Sequence, residues 1–219
     1  MTDSTFLHAV QRELVWVPAI GMGYYPVDPA TEPYDALYFE KYRGYAETEL
    51  GAKITWERLE LVERQVGNLA TVLDIGIGCG DFIAKRRARG GIATYGYDVS
   101  RAAIMWLESR GLFQDSATFE PDVLTFWDSL EHLEDPAATV SRARTWVFVS
   151  LPIFEDAEHV LRSKHLRPTE HRWYWTRDGL IRWFDTLGFQ CVEHGTLESL
   201  LGREDVHTFA FRRLEHGES

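Results

Sequence analysis

The feature that most restricts what this chain can fold into is the run Val72-Leu-Asp-Ile-Gly-Ile-Gly-Cys-Gly80. A short apolar strand runs into three glycines at alternate positions, and Asp81 to Arg89 then carries a helical pattern. Glycines at a strand-to-helix turn let the main chain approach a ligand where side chains would stand in the way, and they admit positive φ. The next helix offers free N–H groups at its start. A second strand, Thr94 to Val99, carries Asp98, 24 residues beyond Asp74. A carboxylate there can accept from both hydroxyls of a ribose, as in dinucleotide-binding folds. A plain tight turn also accounts for glycines, but three details favour a ligand. Asp74 stands two residues before the first glycine, position 81 is Asp where GxGxxG needs Gly, and the second strand ends in Tyr97-Asp98. An acid at the end of the first strand suits an ammonium or sulfonium better than a pyrophosphate. That disfavours a nicotinamide-dependent oxidoreductase.

Elsewhere strands and helices alternate. Lys53 to Val66 reads as an amphipathic helix stopped by Gly67-Asn68, and Arg101 to Arg110 as a second. Val123 to Trp127 and Trp146 to Leu151 read as strands, with Pro136 to Ala143 helical between them. Arg177 to Leu187 reads as a helix, and Phe189 to Glu193 with Val206 to Arg212 as a closing antiparallel pair. The pattern is that of an α/β fold: a Rossmann-like, mostly parallel sheet with a terminal antiparallel strand, helices on both faces and an aromatic N-terminal arm. Residues 1–50 read as irregular, because Pro18, Pro26, Pro29 and Pro33 interrupt them. The aromatic run from Tyr34 to Tyr45 is expected to lie against something. Two segments are therefore expected: an arm and helix over residues 1–68 covering the ligand site, and a core over 69–219.

A net charge of −11 argues against a chain that coats nucleic acid, since phosphate contacts rely on clustered Lys and Arg. No apolar run approaches the length of a membrane span, so none is expected. The first residues, with neither a basic start nor an apolar run, are not expected to act as a secretion signal. Cys79 and Cys191 form no metal pattern and are expected to be reduced thiols in a cytoplasmic protein.

The glycine run resembles motif I of the class I S-adenosylmethionine-dependent methyltransferases. The likeness continues through Gly96-Tyr-Asp98. Asp122 to Pro136 is similar to the fourth-strand segment of the ubiquinone-biosynthesis-like group, and Trp175 to Phe189 resembles that group's late helix and turn. The resemblance covers roughly residues 69–213. It implies S-adenosylmethionine as cofactor, with Asp74, Gly76 and Gly78 at the methionine part, Asp98 at the ribose and Val99 beside it. Asp128 is expected to line the same pocket. The compact layout also resembles phage-encoded methyltransferases, which implies a nucleotide or nucleic-acid acceptor. One departure stands out: Gly111 to Val123 leaves little room for the usual third strand, so that sheet edge should be short and its adenine contacts reduced.

Methyl transfer from a sulfonium is an in-line displacement that needs positioning and, for a poor nucleophile, a base. Three groups offer themselves. Asp128, Glu131 and His132 share a face if they begin a helix, and with His165 or His171 could hold Mg²⁺ or Zn²⁺. The plainer reading, that they shape the loop after the strand, is preferred, and no metal is assigned. The segment from His159 to Arg182 carries six Lys or Arg against two acids, interleaved with Trp173, Tyr174 and Trp175. It could stack a ring and pair an anion, or simply bury its aromatics. His171, His165 and His132 are the candidate bases. In the arm, Tyr42 and Arg43 are expected to close over the cofactor, Arg43 pairing its carboxylate, while Tyr38 fits plain packing equally well. The acceptor expected is an oxygen or nitrogen nucleophile on a small anionic or aromatic metabolite, or on a nucleotide or nucleic acid. A non-catalytic S-adenosylmethionine-binding module is the alternative.

Overall fold

The computed structural model describes residues 13–26, 34 and 36–214. A six-stranded sheet has the order β4-β3-β5-β6-β9-β8, where β3 is Val72–Ile75, β4 Thr94–Tyr97, β5 Val123–Trp127, β6 Trp146–Pro152, β8 Phe189–Gly195 and β9 Val206–Arg213. The first four are mutually parallel, and β9 runs antiparallel to both β6 and β8. This is the Rossmann-like sheet expected from the sequence, terminal antiparallel strand included.

Side-chain alternation assigns the faces. Leu73, Ile75, Leu124, Phe126, Val147 and Val149 point to one side, into a core shared with Leu180 and Phe184 of a helix over Arg177–Thr186. Val72, Val123 and Phe148 point to the other, against Leu59 and Val62 of a long helix, α2, over Glu49–Val66. Asp74 and Thr125 lie on the α2 face as register partners across β3 and β5. Burial on both faces explains why these strands are near-continuous apolar runs.

The short edge is real. Beyond β4 the ladder continues, among the described residues, only through a parallel bridge between Gly96 and Phe113. Gly96 N–H donates to Leu112 O and Gln114 N–H to Gly96 O, at 3.0 Å each. The stretch that follows turns at Asp115 before re-entering β5.

The N-terminal part differs from the irregular arm expected. Val15–Val17 (β1) and Met22–Tyr24 (β2) form a hairpin around Pro18, and β2 pairs antiparallel with Trp173–Trp175 (β7). The prolines confine helix without abolishing it: α1, Ala36–Ala46, begins only after Pro33. No helix among the described residues is long and apolar enough to cross a membrane. Both cysteines are free.

Candidate functional site

The carboxyl ends of β3, β4 and β5 meet the first two helices around a cleft of about 1160 Å³, its open mouth included. Its floor is the glycine turn. Gly76 has φ +76° and Gly78 φ +57°, in the left-handed region where a side chain is strained. A Cβ on Gly76 would lie 2.6 Å from Ser129 Cβ, so this glycine also lets the β5 loop pack against the turn. Ser129 Oγ donates to Ile75 O at the same crossing. The space above Gly78 is bounded by the ring of Tyr42, 3.7 Å from where a Cβ would stand. The aromatic run therefore does lie against something. Tyr38 and Tyr42, one helical turn apart, have ring centroids 4.6 Å apart, and both line the cleft.

Asp98 lines the β4 side. It accepts from Ser100 N–H at 2.8 Å, and burial raises its carboxyl above the ordinary range. Val99 beside it also lines the cleft and is largely exposed. Asp74 lines the cleft from beneath, 1% exposed, and accepts from Thr125 Oγ1 at 2.6 Å. Burial pushes its carboxyl up to about 7, against the opposing pull of that hydrogen bond.

Arg43 stands elsewhere than expected. Its side chain is exposed, pairs with Glu40 at 3.1 Å and lies over the Phe39 ring. Tyr38 and Tyr42 occupy the cleft face of α1, and the next residue is rotated about 100° from it. The cations lining the cleft are Arg58 and Arg203. Asp128 lies between them. It leaves β5 with φ +59°, unusual for a residue other than glycine. It accepts from Arg58 Nη2 at 3.1 Å and from Arg203 Nη2 at 2.8 Å. Burial alone would raise its carboxyl; the two guanidinium groups outweigh that and hold it well below the usual carboxylate range. Glu198, 3% exposed, completes the group by accepting from Arg58 Nε at 2.8 Å and from Arg203. The Arg58 guanidinium also stacks 5.0 Å above the Trp127 ring. So Asp128 lines the pocket as expected, but as the anion between two arginines. Nothing local in the sequence marks Arg58, Glu198 or Arg203.

Glu131 and His132 lie in a 3-10 turn over Leu130–His132, not in the regular helix that would set them on one face with Asp128. His132 lines the cleft, and its Nδ1 is 2.6 Å from the Tyr34 hydroxyl. Its ring meets that of His171 edge-on, with centroids 4.6 Å apart. Burial lowers His132 to about 4, and burial together with the nearby cations lowers His171, so both rings are neutral at neutral pH. His165 is not brought into this pair. Its Nε2 bonds Glu204 O at 2.8 Å, on the loop before β9.

The aromatic basic segment is mostly core. Tyr174 and Trp175 are fully buried in β7, and Trp173 Nε1 donates to Leu133 O at 2.9 Å. Four of its six cations are paired nearby: Arg162 with Glu158, Lys164 with Glu204, Arg167 with Glu170 and Arg177 with Asp178. Of the two readings of Trp173 to Trp175, a stacking surface or buried aromatics, strand pairing and packing favour the second.

Residues 42–194 match the family described as the methyltransferase domain. No curated protein matches in sequence. Among solved structures, the magnesium protoporphyrin IX methyltransferase of Synechocystis PCC 6803 with bound S-adenosylhomocysteine has 16% identity and a TM-score of 0.60, covering 82% of this chain and 95% of that one. The 1,6-didemethyltoxoflavin-N1-methyltransferase of Burkholderia thailandensis has 15% identity and a TM-score of 0.59, over 93% and 100% of the two chains. A chain from the Haloferax volcanii complex of the Trm112 methyltransferase activator with a methyltransferase has 14% identity and a TM-score of 0.63, over 84% and 97%. At these identities the likeness is one of fold, and it agrees with the family match. The chain belongs to the methyltransferase-domain family, with the Rossmann-like fold of the class I S-adenosylmethionine-dependent enzymes.

Proposed function

We propose that this methyltransferase holds S-adenosylmethionine along the glycine turn, with Asp98 accepting from the ribose hydroxyls and Tyr42 covering the ligand. It passes the methyl group to an oxygen or nitrogen of a small aromatic or anionic acceptor. The observation that carries this reading is one continuous cleft in which the turn at Gly76 and Gly78, Asp98, Tyr42 and His132 all take part. The two ends differ in chemistry. Asp74 and Asp98 suit the donor's cationic and hydroxylated parts. Tyr34, Tyr38 and His132 suit a flat acceptor whose proton must leave. Displacement at a sulfonium methyl requires the nucleophile opposite the sulfur, so holding the acceptor between these rings supplies much of the rate.

His132 is the base in this arrangement, since it is neutral and reaches the cleft. His171, packed behind it, positions the ring. A small acceptor fits better than a nucleic acid, because Tyr174 and Trp175 of the aromatic basic segment are buried and the chain is acidic.

The test is turnover with methyl-labelled S-adenosylmethionine against separate pools of small metabolites, RNA and DNA, alongside calorimetry with S-adenosylhomocysteine. Label in the metabolite pool and measurable uptake of the product are expected. Label confined to nucleic acid overturns the acceptor class, and no uptake overturns the donor site.

A further inference from the structure

Glu131, His132 and His171 come together from the turn after β5 and the loop before β7, and they each present one ligand-type atom within 4.8 Å of the others. Glu131 is 1% exposed, and neither of its carboxylate oxygens has a hydrogen-bond partner among the described residues. A buried carboxyl with no donor is strongly disfavoured, and proteins rarely leave one without a reason. The adjacent imidazole does not supply a donor: His132 Nε2 stands 3.9 Å from Glu131 Oε1, too far for a hydrogen bond. That gap is one a bridging atom could fill.

The far side of His132 supports the same reading. Its Nδ1 is 2.6 Å from the Tyr34 hydroxyl. If Nδ1–H donates to that oxygen, the lone pair is on Nε2, the nitrogen facing Glu131; holding a ligating imidazole by its other nitrogen is a recurrent feature of metal sites. His171, 4% exposed, adds a second imidazole. Asp128 takes no part, both of its oxygens being bound by Arg58 and Arg203.

We propose that Glu131, His132 and His171 form a binding site for a single divalent transition-metal ion. Two imidazoles and one carboxylate favour a borderline ion of the Zn²⁺ type over Mg²⁺ or Ca²⁺, which prefer all-oxygen shells. Three protein ligands leave a coordination position open. Ligand atoms on one tetrahedral ion lie roughly 3.3–3.5 Å apart, so the trio must draw in by about 1 Å, a movement within reach of small side-chain torsions. Since His132 also lines the cleft, the open position falls beside the acceptor end. There the ion would bind an acceptor oxygen and lower its pKa, so that the proton leaves to solvent. With the ion bound, His132 Nε2 is a ligand, and the ion takes over the part His132 has as base in the metal-free site. This role rests on the methyltransferase reading above, whereas the ion site does not.

The test uses the full chain stripped with a chelator, titrated with Zn²⁺ by calorimetry and with Co²⁺ by visible absorption. One equivalent per chain is expected, with Co²⁺ bands of a four- or five-coordinate site. Glu131→Gln, His132→Ala and His171→Ala should each weaken uptake at least tenfold to a hundredfold. His159→Ala and His194→Ala, which alter histidines outside the cluster, should leave it unchanged. Absence of uptake, or uptake that survives all three cluster variants, overturns the proposal. Should the variants fail to fold, anomalous scattering from wild-type crystals soaked in Zn²⁺ decides: a peak among the three side chains supports the site, and a peak elsewhere refutes it. S-adenosylhomocysteine calorimetry on the same preparation reports the donor site separately, so failure of either reading is seen without the other.

Discussion

Asp74 and Asp98 line the cleft from the ends of neighbouring strands but differ in what surrounds them. Asp74 spends one oxygen on Thr125 and is almost wholly enclosed. Its carboxyl, raised from 3.8 to about 7 by burial, is protonated in the folded chain over a range where the unfolded chain is ionised. The stability this brings is complete below about pH 4 and is lost as pH rises through 7. Relative to Asp74→Asn, which does not titrate, the wild-type chain should therefore lose stability between pH 4 and 8. The loss is on the order of a few kcal/mol, measurable by urea unfolding at several pH values. A difference that is flat with pH would show that Asp74 is not raised. Asp98→Ala should lower affinity for S-adenosylhomocysteine by about 1.5–3 kcal/mol, the range for a hydrogen bond to a charged group. Unaltered calorimetric binding removes Asp98 from the ribose. Gly76→Ala meets both a φ of +76° and the Ser129 side chain. It should reduce stability by roughly 1–3 kcal/mol, seen as a lower thermal midpoint.

At the scale of elements, the parallel strands were legible because burial on both faces leaves unbroken apolar runs, as in Val123–Trp127. The helix at Glu49–Val66 was legible through its stripe of Ile54, Leu59 and Val62. Its charged face misled: Arg58 reads as a solvated residue, yet it reaches inward to Asp128 and Glu198, 70 and 140 positions away. Periodicity reports which face is apolar and is silent about a cation that finds buried anions across the fold. The four charges tie α2 to the end of β5 and to the segment before β9. Arg58→Met would leave Asp128 and Glu198 short of a counter-charge in a largely dry site. Removing one member of such a group costs about 3–5 kcal/mol. Chemical denaturation should register this, and Lys at the same position should restore only part of it, since it cannot reproduce the guanidinium fork. A neutral result would mean that the charges are solvated.

On the scale of the whole molecule, the mostly parallel sheet and its antiparallel end follow from the alternation of strands and helices, but the second sheet does not. Its three strands have three residues each, too short to show a period, and the β2 to β7 pairing spans most of the chain. The aromatic stretch at Trp173 to Trp175, for which the sequence leaves a binding surface and plain burial both open, is an edge strand of that small sheet. Leu14, Trp16 and Tyr25 cover Phe154, Val160 and Tyr174 there. Deleting residues 1–26 should therefore destabilise the fold by several kcal/mol, at about 1.5–3 kcal/mol for each large apolar side chain uncovered. The loss would appear as a lower melting temperature together with dye binding to the exposed aromatics. A truncated chain that melts like the intact one would show that the hairpin contributes little.

The sheet's truncated flank also bears on which donors the enzyme accepts. With the Gly96–Phe113 bridge alone beyond β4 among the described residues and Val99 largely uncovered, a purine attached to a ribose held at Asp98 as proposed would extend towards an open edge. Enlarged nucleosides, bearing a benzyl or fluorophore on the exocyclic amine, should be tolerated there, because the substituent would project into water instead of a wall.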